Sequence, residues 1–117
     1  MDRNALVRAT AVGTVLQLAM VVTGHFVPAV AALFGPLGVT ISLVAGLLYA
    51  RAAGGGFGSA VLGGLVAGGL CAFLGIVVSF LLGDVTAVIL GLGTASSAAT
   101  GAVGGLIGPA VARPRAA

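Results

Sequence analysis

The stretch Gly93-Thr-Ala-Ser-Ser-Ala-Ala-Thr-Gly-Ala-Val-Gly-Gly105 decides the fold. Read at every fourth position it gives Gly93, Ser97, Gly101 and Gly105, an unbroken stripe of small side chains. Residues four apart share one face of a helix, so this face is nearly flat and a second helix backbone can approach it closely. In lipid, such small-xxx-small faces are how helices associate, because the hydrophobic effect supplies no net attraction between them there. Ser97 lies on the stripe, and Thr94, Ser96 and Thr100 stand near it. The stripe therefore reads either as a packing seam or as the wall of something wet.

The rest of the chain agrees with the lipid setting. Of 117 residues, 60% are hydrophobic and only 6% charged. Apolar residues at that density leave too little polar surface for a water-soluble domain. Between Arg8 and Arg51 there is no formal charge, and between Arg51 and Arg113 there is only Asp84. Each interval is long enough for two membrane-spanning helices of roughly 20 residues. The fold class is an all-α integral membrane protein of four antiparallel helices packed through Gly, Ala and Ser faces. It forms one domain over residues 1–117, with helices at about 5–28, 33–51, 58–82 and 86–112.

Punctuation supports those limits. The segment His25-Phe-Val-Pro28 to Gly35-Pro36 reads as a helix exit, a turn and a re-entry, with Pro36 in the first turn of the next helix, where a missing N–H costs nothing. Arg51 to Gly58 is a glycine-rich turn. Gly83-Asp84 ends the third span, and Arg113-Pro114-Arg115 ends the fourth. With four spans, all five arginines fall on one side, which the positive-inside rule makes cytoplasmic. Both termini are then cytoplasmic, and the net charge of +3 suits anionic lipid headgroups rather than nucleic acid. Arg3, Arg8 and Ala29-Val-Ala31 also have the outline of a secretory signal, but the apolar stretch is long for one, and an uncleaved first span is expected.

A shift of 55 residues lays Gly38, Ser42, Gly46 and Ala50 over Gly93, Ser97, Gly101 and Gly105. It also lays Ala9 and Gly13 over Gly64 and Gly68, as a duplicated hairpin would. The helix-packing residues expected from these stripes are Gly38, Ser42, Gly46, Gly64, Gly68, Gly93, Ser97, Gly101 and Gly105. Several GxxxG pairs pointing in different directions offer more docking surface than one bundle needs. The partners expected are therefore the lipid bilayer and either further copies of the chain or a larger membrane complex.

Candidate chemistry is sparse. Gln17 is the most polar side chain at mid-span, and Thr10, Thr14, Gln17 and His25 fall in a narrow arc of the first helix. A polar path, if there is one, would use Thr14, Gln17, His25, Ser97 and Thr100. The competing reading makes Gln17 an interhelical hydrogen-bonding group. His25 and Asp84 fall on the same side and could form a pH-sensing pair, although Asp84 also suits capping of the following helix. Cys71 reads as a small buried hydrophobe, and a single cysteine allows no intrachain disulfide. Proton-coupled carriers need an ionisable group within the membrane, and no acid or base lies in the expected hydrocarbon core. The Gly54–Gly58 run lacks the Lys-Ser/Thr of a phosphate loop. No nucleophile–base pair, metal cluster or cofactor motif is legible. The leading expectation is a non-enzymatic structural or accessory subunit of the cytoplasmic (inner) membrane. An oligomeric channel or small-solute transporter is the alternative.

Overall fold

The computed structural model describes the backbone of residues 3–53 and 56–116, and side chains as far as Gly108. It is all-helical. The helices are α1 (Arg3–Phe26), α2 (Pro28–Ala31), α3 (Phe34–Ala53), α4 (Phe57–Leu81) and α5 (Ala87–Ala116). Four of them, α1, α3, α4 and the Ala87–Gly108 part of α5, are long and apolar enough to cross a membrane.

Three boundaries depart from the sequence reading. The turn after α1 contains a helix of its own: Val27 is extended and Pro28 opens the single turn α2. That geometry follows from proline, which pushes the preceding residue out of the helical region and fits the first helical position. At the other end, α5 continues through Pro109 and Pro114 instead of stopping at Arg113. The Arg51–Gly58 turn shrinks because α3 runs on to Ala53 and α4 begins at Phe57; Gly54 and Gly55 lie outside the described residues.

The size order of side chains is inverted relative to a water-soluble bundle. Ala5, Ala9, Ala45, Ala67 and Ala72 are buried, while Val15, Leu62, Leu70, Phe73 and Leu106 face outward. Small residues inside let backbones touch, and large ones outside suit hydrocarbon. The helices form a bundle of 47 × 21 × 20 Å in which α3 and α4 each touch both α1 and α5.

The closest approaches are backbone against backbone. Gly46 and Gly64 both lie against the Gly101 carbonyl, and Gly105 lies against Ala60 and Val61. A Cβ on Gly68 would sit 2.7 Å from the Gly101 Cα and 2.9 Å from the Ser97 carbonyl oxygen. These contacts occupy the half of the bundle nearer Arg3 and Arg51. There the ring of Tyr49, the largest buried side chain among the described residues, is seated over Gly63.

Candidate functional site: a cavity in the half of the bundle that carries His25 and Asp84

Bulk returns toward the other end. Met20, Val21, Phe34 and Ile76 replace glycine at the facing positions, and the helices leave between them a half-open cavity of about 270 Å³. Its wall takes residues from α1, α3, α4 and α5, including Gly38, Val39, Ala72, Ile89 and Gly93. The polar groups on it are Gln17, Ser79, Ser96 and Ser97.

Gln17 closes the inner end. It is 1% exposed, and its Nε2 donates to the Gly38 carbonyl at 3.2 Å and to the Ser42 Oγ at 3.4 Å. The Ser42 hydroxyl in turn donates to the Gly68 carbonyl at 3.3 Å. One chain of hydrogen bonds thus ties α1 to α3 and α3 to α4, at the level where Gly68 meets α5. A Cβ on Gly75 would stand 2.7 Å from the Gln17 Cβ, so the stem of Gln17 depends on glycine opposite it. Cys71 is buried in the same layer, with its Sγ 3.3 Å from the Gly68 carbonyl oxygen.

Ser79 is different. It is 2% exposed, it lines the cavity, and its Oγ has no hydrogen-bond partner. Hydroxyls in helices ordinarily bond back to the carbonyl four residues earlier, as Thr40 does to Pro36 and Thr100 to Ser96. A buried hydroxyl left unpaired costs on the order of 1–3 kcal/mol. Thr10, Thr14 and Thr94 also have unpartnered buried oxygens, but they do not line this cavity.

The five residues of the expected polar path do not share one surface. Gln17 and Ser97, the latter 4% exposed, line the cavity. Thr14 lies with Thr10 in a shallow groove between α1 and α4, beside Leu70 and Leu74. Thr100 is turned to its own helix. His25 does not line the cavity, and its Nδ1 is 2.8 Å from the Asp84 Oδ2.

That last pair corrects the capping expectation for Asp84. Gly83 takes φ 79, and the amides of Gly83 and Asp84 donate to the carbonyls of Phe80 and Ser79, the pattern of a glycine-terminated helix. The turn delivers Asp84 to His25. Thr86 caps α5 instead, its Oγ1 accepting from the Ile89 N–H at 3.4 Å. The side chains of His25 and Asp84 are 33% and 26% exposed, and the pair is ionic when His25 is protonated.

The glycine stripes are consumed within the chain. Gly46, Gly64, Gly68, Gly101 and Gly105 each face a neighbouring helix at a distance no side chain would fit, and Gly93 faces Ile76. Gly38 lies beside Gln17 and Met20 at ordinary van der Waals range. The premise that these faces remain spare for partners therefore does not hold. Sequence reasoning missed Ser79, the Tyr49–Gly63 contact and a further stripe on α5, at Ala87, Gly91, Ala95 and Ala99, all exposed. That stripe has the same four-residue spacing as the buried one and was legible. The cavity was not, since a void depends on side chains that fail to meet.

Among the described residues no group of His, Cys, Asp and Glu is placed to hold a metal ion. No family model matches the sequence, and no curated protein or solved structure matches it either.

Proposed function

We propose that the chain is a non-enzymatic accessory subunit of the cytoplasmic membrane, with four antiparallel spans and both termini on the cytoplasmic side. It packs against another membrane-embedded helix, in the simplest case that of a second copy. The observation that carries this reading is the exposed stripe Ala87, Gly91, Ala95 and Ala99 on α5. Nothing lies within 4 Å of the place a Gly91 Cβ would occupy. A flat strip of small side chains facing lipid is the surface on which membrane helices associate.

The test is cross-linking of the full chain in lipid, comparing wild type with Gly91→Leu and Ala95→Leu. The expected result is a cross-linked assembly that both substitutions dissolve while the monomer stays folded by thermal melting. Undiminished assembly in both variants would remove α5 as the interface. The second reading, an oligomeric channel or small-solute transporter, has Gln17 and Ser97 on one cavity wall in its favour. Against it, Gln17 is bonded to α3, and beyond Gln17 the helices meet at glycine.

A further inference from the structure

Given the membrane setting proposed above, on which this site depends, we propose that the cavity takes one acyl chain of a glycerophospholipid. The lipid belongs to the leaflet at the His25 end, and its chain enters between α3 and α5. No self-association is needed.

The opening follows from how α3 and α5 part. Toward Arg51 they touch, with Gly46 against the Gly101 carbonyl and Gly104 against Leu43. Toward His25 they separate. Among the described residues, a Cβ on Gly38 would meet only Gln17 and Met20 of α1, and one on Gly93 only Ile76 of α4. A Cβ on Gly35 would meet nothing within 4 Å. Gly35 on one lip and Ile89, Leu92 and Ser96 on the other line the cavity and are exposed. The gap therefore faces sideways, at a depth where a spanning bundle meets hydrocarbon rather than water.

The shape suits one leaflet. At the inner end, Gln17, Ala72 and Ser97 lie near the middles of their spans, and at the outer end Val85 adjoins Asp84. Ile89 and Ser97 on the wall are separated by about 12 Å of helix, against about 15 Å for half of a hydrocarbon core. An apolar cavity of about 150 Å³ takes benzene, so about 270 Å³ takes roughly ten carbon atoms. That is a stretch of acyl chain running parallel to the helices, as lipid tails run. No side chain of a second copy is long enough to fill it.

The wall has the matching chemistry. It is largely apolar and carries no ionisable group, so a charged occupant would lose its water with nothing to pair it. Gln17, at the inner end, is already bonded to α3. The methyl end of the chain therefore rests against the Gln17 layer, and the headgroup stays outside, at the level of the exposed Gly83-Asp84 turn.

The experiment uses the full chain in phosphatidylcholine nanodiscs that contain a small fraction of the same lipid with a diazirine near the end of one acyl chain. Adducts formed on irradiation are mapped by mass spectrometry. Met20 and Ile76, half-buried on the wall, report on the cavity. Val22 and Phe73, exposed and outside it at similar depth, report on the surrounding lipid. All four should be labelled in the wild type. Val39→Phe and Ser96→Phe fill the opening from its α3 and α5 lips, and each should abolish labelling of Met20 and Ile76 while leaving Val22 and Phe73 unchanged. Position 96 is exposed, so Ser96→Phe keeps the test open should Val39→Phe fail to fold. In native mass spectrometry the detergent-purified wild type should retain one phospholipid per chain and the variants none. Labelling of Val22 and Phe73 without Met20 and Ile76 overturns the site, whether a second copy or nothing fills the space. Cavity labelling or lipid retention that survives both substitutions also overturns it. A chain unlabelled at all four positions is not in the bilayer, and the membrane reading falls first, taking the site with it.

Discussion

Ser42 is both acceptor and donor: it receives Gln17 and passes a hydrogen bond on to the Gly68 carbonyl. Interhelical bonds of this kind are worth about 0.6 kcal/mol on average and rarely above about 1.7 kcal/mol, because the unfolded chain in the membrane also finds partners. Gln17→Met, which keeps the volume and removes the amide, should therefore lower the unfolding free energy by about 1 kcal/mol. Ser42→Ala should cost a similar amount. The double variant should cost less than the two together, since both act on one connected network. Reversible unfolding in mixed micelles checks all three, and strict additivity would mean that the chain of hydrogen bonds does not act as a unit. Gln17 was legible in the sequence as the one strongly polar side chain at mid-span. Its partners were half legible, because the stripe holding Gly38 and Ser42 is visible by spacing while the facing helix is not.

At the scale of the helices, glycine has two opposite roles on α5 alone. Gly101 lies with the Gly64 carbonyl against the place a Cβ would fill, whereas Gly91 faces open space. Gly101→Ala forces the seam apart and is expected to destabilise by about 1–3 kcal/mol, the usual penalty of overpacking. Gly91→Ala meets nothing and gains helix propensity of up to about 1 kcal/mol, so it should stabilise. Thermal melts of the two variants should move in opposite directions, and a shared direction would contradict the assignment of inner and outer faces. The sequence displayed both stripes at one spacing, and a Gly- and Ala-rich helix has too little contrast between its sides to say which one is buried. The same lack of contrast hid the α4–α5 turn. Gly83-Asp84 was readable as a break, but whether Asp84 or Thr86 caps α5 depended on His25, 59 residues away along the chain. Gly83→Ala strains a left-handed residue by about 1–2 kcal/mol and moves Asp84 from its partner. Thr86→Val, which removes only a cap, should cost about 1 kcal/mol and leave the His25–Asp84 pair intact; the histidine ring resonances in NMR distinguish the two.

For the whole molecule, the two ends differ in kind. One end is knit by glycine contacts and bears exposed Arg3, Arg8 and Arg51; the other holds the cavity and the His25–Asp84 pair. The proposed orientation makes the arginine end cytoplasmic, which single cysteines in a Cys71→Ala background can test in sealed membrane vesicles. Arg51→Cys should react with a charged, impermeant thiol reagent only from the cytoplasmic face, and Asp84→Cys only from the opposite face. Ser97→Cys decides between the two functional readings. A thiolate forms readily only where water reaches it, and Ser97 is 4% exposed beside a largely apolar pocket wall, so the charged reagent should leave position 97 unmodified from either side. Reaction at 97 from the Asp84 side alone would mean a wet vestibule closed at Gln17, the form expected of a carrier. Reaction from both sides would mean a continuous aqueous path, which the glycine contacts around Gly46, Gly64 and Gly101 would have to open to admit.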